Sequence, residues 1–503
     1  MKERYLDTNN NSLSLFYGLS WPLIVGILAC VGLLTLSSWH TSVDPDTYMH
    51  LSIGQWILAH RTIPAVDIYS HTMQGGAWTA HEWLSECIFA AFYDMGGWSA
   101  LVMLVSLMLA FTLGLLLRFL LQRVPPIYAI FFTAIAYSAL ANHLLIRPHV
   151  LSWPLLLVWC SVLINAAEKQ QGPPLFLLLV MTLWANLHGS FVFGLAITIP
   201  IGAQALWDCL SSKRMRLFRE WALFWIFAVG ACMLTPLGWK GLFFPFSLFK
   251  LTHLDAITEW MPYQFIGLGG LEITLASYFV LALMGYIQIR FIHALLIVGM
   301  LYQALTHNRY VSIFGLITPL LIASSFGRQY SLLHGANNSR MDQFFERASG
   351  LATKKAMLIG GSLIVITALI SAHFHRHEPS SLVHPIHAVD FAVSEGISGP
   401  VLNTYEFGGY LISRGIPVFI DGRADLYDQK VLGPYLEAIR DGNPIALDGV
   451  IQTYGITWVL IRPDSMARGY FDSHPQWKKR YEDQTAVIFT LSSSAGSSMR
   501  LAD

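Results

Sequence analysis

The feature that most constrains this 503-residue chain is a series of long apolar runs separated by short polar connections. Hydrophobic residues make up 54% of the sequence and charged residues only 12%, which is about half the charged fraction of a typical soluble domain. About eleven runs are long enough to cross a bilayer as helices. The sequence therefore predicts a polytopic α-helical membrane protein with spans near 17–38, 98–121, 126–144, 149–167, 174–188, 190–209, 221–237, 271–289, 291–306, 310–326 and 356–372.

The basic residues of the connections predict how these spans are oriented. Lys and Arg concentrate in alternate connections, from Arg118 onward to Lys355. Connections on the cytoplasmic side carry such an excess, so we expect the N-terminus to be cytoplasmic. The outer side then receives the loops 39–97 and 238–270 and the segment after residue 372.

Composition excludes several classes of partner and site. Lys plus Arg equals Asp plus Glu, at 31 each, so the net charge indicates no polyanionic partner such as nucleic acid. Five cysteines occur and none has CxxC spacing, which speaks against a disulfide framework or a zinc site. The lipid bilayer is the partner that the composition predicts.

Residues 373–503 differ in character from the apolar part, 1–372. Short strand-like runs alternate here with helical patterns near 385–396, 428–440 and 446–454. The predicted strands are Val401–Thr404, Pro417–Asp421, Thr457–Ile461 and Ala486–Leu491. This alternation predicts a soluble α/β domain of about 120 residues on the outer face. The Ser-rich tail after Leu491 is expected to be disordered.

The first outer loop, 39–97, contains two apolar stretches that are too short to span. Tyr48–His60 and Glu82–Met95 each carry a Trp and several aliphatic residues, which is typical of helices in the membrane interface. Two such helices would hold the intervening chain as a rigid platform, which a reaction site needs. A structured cap without chemistry is the alternative interpretation.

Asp44 and Asp46 lie beside this platform, just after the first span. An acceptor hydroxyl needs a base, so we expect one carboxylate to take its proton. The other would position the base or hold a divalent cation, Mg²⁺ or Mn²⁺, through hard oxygen ligands; no cofactor is certain. The alternative for Asp46 is an N-cap, because it precedes the first predicted interfacial helix by one or two residues.

His81 and Glu82 form a second polar pair, at the start of the second interfacial helix. Glu82 either caps the helix and stabilises it by interacting with the positive end of the helix dipole, or faces the same cleft as Asp44. Asp67, between the two helices, is interpreted as a turn residue.

Further polar residues fall at the predicted outer ends of the spans, where cations are costly unless they bind something. Arg147 and Arg309 are suitable ligands for a phosphate group. A salt bridge to Asp44, Asp46, Glu82 or Glu259 is the alternative for either arginine. Trp260 offers a surface on which a sugar would stack. The candidate substrate-binding residues are His81, Arg147, His149, His188, Glu259, Trp260, His307 and Arg309.

The chain resembles the GT-C superfamily of membrane glycosyltransferases in topology and in two stretches of sequence. A group of bacterial members, described as dolichyl-phosphate-mannose-type or uncharacterised glycosyltransferases, has similar stretches. The first runs from Asp44-Pro45-Asp46-Thr47-Tyr48-Met49-His50-Leu51 through Ile63-Pro64-Ala65-Val66-Asp67-Ile68-Tyr69-Ser70 to His81-Glu82-Trp83-Leu84, and the second comprises Gly408-Gly409-Tyr410-Leu411 and Val418-Phe419-Ile420-Asp421-Gly422-Arg423-Ala424-Asp425.

This resemblance implies a multi-pass protein of the bacterial inner membrane with an outer C-terminal domain. It implies transfer of a sugar from a polyprenyl-phosphate-linked donor to a glycan, lipid or protein acceptor, with inversion at the anomeric carbon. Asp44 or Asp46 would be the general base and Glu82 a second catalytic acid of the loop. Some members need a metal and some do not, so metal use stays open.

Other classes of function make different predictions. A transporter would have charged residues at mid-membrane and an internal repeat, and neither is visible in the sequence. A polysaccharide polymerase or ligase would rely on Arg and His in an outer loop. A non-catalytic scaffold for envelope polysaccharide assembly would not need the acids of the first loop.

Overall fold

The computed structural model describes residues 18–36, 41–248, 251, 253, 257, 259–334, 340–374 and 377–492. The chain folds into two compact units, each discontinuous in sequence. The first consists of Met1–Ser38, Val102–Leu242 and Thr258–Arg376, and the second of Trp39–Leu101, Phe243–Ile257 and His377–Asp503. The predicted outer loop 39–97 thus belongs to the same unit as most of 373–503, and the chain does not divide simply at residue 372.

A helix overlaps each predicted span. These helices are Trp21–Leu36, Trp83–Leu120, Pro126–Leu140, Pro148–Glu168, Leu177–Leu187, Phe191–Trp207, Ser211–Cys232, Gly270–Leu283, Phe291–Thr306, Val311–His334 and Lys354–Phe374. Shorter helices cover Trp239–Leu248 and Arg340–Glu346.

Four helices within the described residues are long and apolar enough to cross a membrane. They are Trp83–Leu120, Pro148–Glu168, Asn308–His334 and Lys354–Phe374. Other apolar helices, such as the 11-residue Leu177–Leu187, are shorter than the roughly 20 residues that a span needs. The number of about eleven spans therefore stays a prediction.

Large aromatic side chains fill the interior of the first unit. Trp159 is fully buried, and its indole N–H donates to the carbonyl oxygen of Gly194 at 2.9 Å. Gly194 also allows the ring of Trp184 to approach, because an added Cβ would lie 2.7 Å from Cζ3 of that ring. The helices Pro148–Glu168 and Phe191–Trp207 are held together in this way.

Two helices of the second unit correspond to the predicted interfacial pair. The first is Thr47–His60 and the second begins at Trp83. The second helix joins the predicted span 98–121 as one element, Trp83–Leu120, which is interrupted at Gly96 and Gly97. Gly97 has φ of +61°, a conformation that side chains disfavour, so glycine permits the change of course.

A four-stranded sheet forms the core of the C-terminal residues. Its strands are β1 (Val401–Asn403), β2 (Trp458–Ile461), β3 (Trp477–Glu482) and β4 (Val487–Leu491), in the order β1-β2-β4-β3. β1 pairs with β2 in parallel, with Val401 opposite Trp458, and the other two pairings are antiparallel. The surrounding helices are Ile386–Ser394, Gly408–Ser413, Ala424–Tyr427, Gly433–Tyr435, Pro444–Tyr454 and Arg468–Ser473, with π-helical turns at Asp428–Leu432 and Leu436–Arg440.

The sequence predicted three of these strands and made two errors. The predicted strand Pro417–Asp421 is wrong, because this segment has only a single parallel bridge, between Val418 and Ser70. Two of its backbone groups bind the side chain of Asn403, which accepts from Phe419 N–H at 2.8 Å and donates to the Ile420 carbonyl at 2.9 Å. The edge strand β3 was missed because its Lys-rich exposed positions conceal the alternation. The predicted disordered tail lies outside the described residues from 493 onward.

Candidate active site

The acid segment 44–46 stands at the start of helix Thr47–His60. Asp44 is buried, with 2% of its surface exposed, and its Oδ1 accepts the backbone N–H of Asp46 at 2.9 Å. Asp46 occupies the N-cap position and is half-buried, but its side chain makes no capping hydrogen bond. Asp44 therefore holds the backbone of Asp46, and the capping alternative does not account for the Asp46 carboxylate.

A buried ion pair joins the two helices behind the acid segment. His50 Nδ1 lies 3.2 Å from Glu86 Oε1, and the second oxygen of Glu86 is buried without a hydrogen-bond partner among the described residues. Gly54 lets the helices approach, because an added Cβ would lie 2.5 Å from the carbonyl carbon of Glu86 and 3.0 Å from Cβ of Ala90. The helix pair is thus closely packed at this point.

The charge of His50 is favoured by its surroundings. Burial alone would lower the pKa of His50, but the hydrogen bond and charge of Glu86 raise it above the ordinary value, with further contributions from Glu82 and Asp46. Three carboxylates therefore act on one imidazole. The spacing of four residues between Asp46 and His50, and between Glu82 and Glu86, places each pair on one helix face.

His81 and Glu82 lie together at the start of the second helix. His81 Nε2 is 3.7 Å from Glu82 Oε1, and the His81 ring stacks on Phe244 with the ring centroids 4.0 Å apart. The backbone carbonyl of Glu82 accepts the N–H of Glu86 in the first helical turn. The structure thus brings Asp44, Asp46, His81 and Glu82 into one unit, together with the His50–Glu86 pair.

Asp67 is more than a turn residue. Its Oδ1 accepts from Nη1 of Arg423 at 2.7 Å, and its Oδ2 accepts from the hydroxyl of Ser70 at 2.6 Å. Arg423 also donates to Asp421 Oδ2 at 2.6 Å, and Tyr427 donates to the same oxygen at 2.6 Å. Burial would lower the pKa of Arg423, but the carboxylates keep it well above its ordinary value, so the guanidinium stays charged.

The loop between the helices Thr47–His60 and Trp83–Leu120 bonds to the C-terminal residues. His71 Nε2 lies 2.9 Å from the Val401 carbonyl, and the Thr72 hydroxyl donates to the Phe419 carbonyl at 2.7 Å. Burial lowers the pKa of His71 despite the bond to Val401, so the imidazole stays neutral near neutral pH. The loop and the C-terminal residues form one packed structure.

In the first unit, Arg309 and Arg147 lie beside Glu259 and Trp260. Cζ of Arg309 lies 4.4 Å from the centroid of the Trp260 ring, and the backbone N–H of Arg309 donates to the Glu259 carbonyl at 3.1 Å. Arg147 forms an ion pair with Glu259, which is one of the partners that the sequence left open. Trp260 is 8% exposed, so most of its ring is already covered.

The predicted histidines of the first unit are His149, His188 and His307, and each makes a defined contact. His149 Nε2 contacts the His143 carbonyl at 2.9 Å, and His188 Nδ1 contacts the Ser190 hydroxyl at 2.7 Å. The ring of His307 meets Trp260 edge-on at 5.6 Å. Burial, and next the charge of Arg309, lower the pKa of His307. Five of the seven candidates of this unit are therefore connected by contacts, namely Arg147, Glu259, Trp260, His307 and Arg309. The other two, His149 and His188, face each other with their ring centroids 6.3 Å apart.

The described residues contain no group of three or more His, Cys, Asp or Glu side chains arranged to hold a metal ion. Asp44 and Asp46 supply the carboxylate oxygens that Mg²⁺ and Mn²⁺ prefer. The side chains of these two residues do not by themselves make a complete coordination shell.

Sequence reasoning missed His50, Glu86 and Arg423 as parts of the site. The four-residue spacing from Asp46 to His50 and from Glu82 to Glu86 was a readable signal, because Asp46 precedes one predicted helix by less than one turn and Glu82 begins the other. Arg423 stands in the polar turn Asp421-Gly422-Arg423, which the sequence indicates as a structural turn, but its pairing with Asp67, 356 residues away, left no pattern in the sequence.

No family model and no curated protein sequence matches the chain. Among solved structures it is similar to the oligosaccharyltransferase of Archaeoglobus fulgidus in the apo form, with a TM-score of 0.50, 11% identity, and 87% of this chain and 69% of that chain covered. It is also similar to ArnT from Cupriavidus metallidurans. The ArnT structure bound to undecaprenyl phosphate has a TM-score of 0.45 and 11% identity, with 94% of this chain and 98% of that chain covered. The apo ArnT structure has a TM-score of 0.47 and 12% identity, with 92% of this chain and 97% of that chain covered.

The likeness to the oligosaccharyltransferase shows that the chain has a GT-C-like fold. The resemblance inferred from the sequence is thereby confirmed at the level of the fold. The apolar helices and this fold together identify a multi-pass membrane protein.

Proposed function

We propose that this chain is a glycosyltransferase of the bacterial inner membrane. It transfers a sugar from a polyprenyl-phosphate-linked donor to a glycan, lipid or protein acceptor at the outer face. The observation that carries the proposal is the acid segment, in which half-buried Asp46 follows buried Asp44 at a helix start. The GT-C-like fold supports the same reaction class, and the predicted orientation puts this segment, and the C-terminal residues, outside.

Asp46 is the general base in this proposal. The acceptor hydroxyl gives its proton to the Asp46 carboxylate while its oxygen attacks the anomeric carbon. The bond from that carbon to the phosphate oxygen breaks, and polyprenyl phosphate leaves with the bonding electrons. Attack from the face opposite the phosphate inverts the anomeric configuration. Asp44 fixes the backbone of Asp46 through the 2.9 Å hydrogen bond, and Glu82 adds negative charge that favours proton transfer away from the acceptor.

Arg309 has the role of binding the donor phosphate. Its guanidinium stacks on Trp260, and this contact fixes the plane of the guanidinium. Two N–H groups in that plane can then donate parallel hydrogen bonds to two oxygens of a phosphate. Arg147 is already paired with Glu259, so its charge is partly compensated and its contribution is smaller. His307, which meets Trp260 edge-on, adds to the polar surroundings of this arginine pair, and His149 and His188 are further candidates for contact with the substrate.

A divalent cation is a secondary proposal. Asp44 and Asp46 would hold it together with donor phosphate oxygens and water, and no step above is routed through it. Treatment with EDTA tests it, since a metal-dependent enzyme would lose activity and recover it with Mg²⁺ or Mn²⁺.

The test uses the full chain in lipid nanodiscs with a panel of polyprenyl-phosphate-linked radiolabelled sugars. We expect release of polyprenyl phosphate and a labelled product from the wild type. Asp46→Asn should lower kcat by about 10³-fold, within the range for loss of a general base. Asp44→Asn retains an oxygen that accepts the Asp46 N–H and should keep measurable activity.

The opposite pattern, with Asp44→Asn inactive and Asp46→Asn active, would exchange the two roles. Full activity in both variants would refute the catalytic proposal and favour a scaffold. Donor accumulation in sealed vesicles without transfer would favour a transporter.

A further inference from the structure

Glycines of the C-terminal residues border the acid segment. A Cβ added at Gly422 would lie 2.6 Å from Cγ of Asp46 and 2.9 Å from its Oδ2, which is too close for van der Waals contact. A Cβ added at Gly409 would lie 3.4 Å from the Pro45 carbonyl carbon and from the Met49 nitrogen. Neither glycine has positive φ, so the reason for glycine here is close approach rather than backbone conformation.

The backbone at Gly422 has little freedom to yield. Its neighbours Asp421 and Arg423 are buried and bonded to one another, with the Arg423 backbone N–H donating to Asp421 Oδ1 at 3.0 Å. Arg423 is in turn bonded to Asp67 at 2.7 Å. Tyr427 is fully buried and donates to Asp421. A side chain added at Gly422 would therefore displace the Asp46 carboxylate rather than the turn that carries Gly422.

The opposite side of Asp46 is held by its own segment. Its backbone N–H is bonded to Asp44, and its carbonyl accepts the N–H of His50 at 3.0 Å in the first helical turn. The carboxylate is thus the part of Asp46 that an added Cβ would meet, and Gly422 borders the space that it occupies.

We infer that Gly422 is a positioning residue for Asp46, so that the C-terminal residues set the direction of the base. The inference rests on the proposed function of Asp46. It assigns to the 421–423 turn a role in catalysis beyond its internal bonds. A misplacement of about 1 Å in a reacting group costs up to roughly 100-fold in rate.

The test compares Gly422→Ala with Gly449→Ala. Gly449 lies in helix Pro444–Tyr454 of the same unit, and an added Cβ there would meet nothing within 4 Å. With the same labelled polyprenyl-phosphate donor, we expect Gly422→Ala to lower kcat by about tenfold or more, with the donor KM changed less than about twofold. Gly449→Ala should match the wild type in both constants.

The outcomes separate this inference from the proposed function. Wild-type kcat in Gly422→Ala beside an inactive Asp46→Asn would overturn the inference and leave the function intact. Wild-type activity in Asp46→Asn would overturn this inference and the assignment of Asp46 as the base. Wild-type activity in Asp44→Asn as well would overturn the proposed function. If Gly422→Ala lowers the yield of folded protein, Asp46→Ala added to it should restore folding, because the displaced carboxylate is gone. Failure to restore folding would assign Gly422 to the fold alone.

Discussion

His50 Nδ1 lies 3.2 Å from Glu86 Oε1, and both side chains are buried between two helices of the second unit. Burial works against a charged imidazole here, yet the bond to Glu86 raises the pKa of His50 above its ordinary 6.5. A pair of this kind makes stability depend on pH.

Glu86→Gln should remove that pH dependence. Because the folded-state pKa of His50 is raised, the pair stabilises the fold fully below about pH 6.5, and this stabilisation is lost as the pH rises through the raised pKa. Thermal unfolding of the purified protein between pH 6 and pH 9 measures it. At pH 6 the substitution should cost about 2 kcal/mol, as for a hydrogen bond to a charged group. His60→Gln, at the exposed end of the same helix, is the control, and an unchanged pH profile in Glu86→Gln would contradict the prediction.

Arg423→Met should destabilise the second unit by about 3–5 kcal/mol. The substitution leaves Asp67 and Asp421 buried without their cation, and a broken buried pair costs far more than an exposed one. Denaturant unfolding gives the free energy. Arg462→Met is matched in chemistry but removes an exposed pair with Asp464, so it should cost less than about 1 kcal/mol. Similar losses in the two variants would show that the buried network contributes little.

Arg309→Ala should raise the donor KM by about tenfold while kcat falls less. The variant lacks the guanidinium and so loses a charge-assisted hydrogen bond to the donor phosphate. The enzyme–donor complex already makes this bond before the reaction, so its loss affects binding more than the chemical step. Steady-state kinetics with the labelled polyprenyl-phosphate donor separate the two constants. Arg290→Ala breaks an ion pair with Asp208 elsewhere in the first unit and should leave the donor KM unchanged. A normal KM in Arg309→Ala would exclude Arg309 as a phosphate ligand.

Gly54→Ala should destabilise the helix pair by about 1–3 kcal/mol, because the added methyl group would clash with the backbone of Glu86. The midpoint of thermal unfolding reports the change. Gly449→Ala has open space in a helix and should be neutral or stabilising by up to about 1 kcal/mol. Equal midpoints for the two variants would mean that the helices can move apart without cost.

Local patterns in the sequence predicted much of this fold. Apolar runs located the helices, and the acid segment 44–46 and the two helices of loop 39–97 were found from composition and spacing. Long-range pairing was beyond those patterns. The bond between Asp67 and Arg423 joins positions 356 residues apart, and a glycine such as Gly422 shows its purpose only when the atoms opposite it are known. The prediction of a strand at Pro417–Asp421 was wrong for the same reason, because this segment pairs with a loop and a side chain rather than with a neighbouring strand.

The pairing of loop 66–72 with residues near 418 sets an order of assembly. Thr72 and Phe419 are bonded although 347 residues separate them. At a synthesis rate of about 5–20 residues per second, the loop waits roughly 20 to 70 s for this partner to be made. Among the described residues the last apolar helix, Lys354–Phe374, precedes that partner, so the apolar helices described above have been synthesised before the loop reaches its final surroundings. In the nascent chain the acid segment 44–46 therefore lacks the C-terminal residues, such as Gly409 and Gly422, that border it in the folded protein. The finished arrangement forms only when translation is nearly complete.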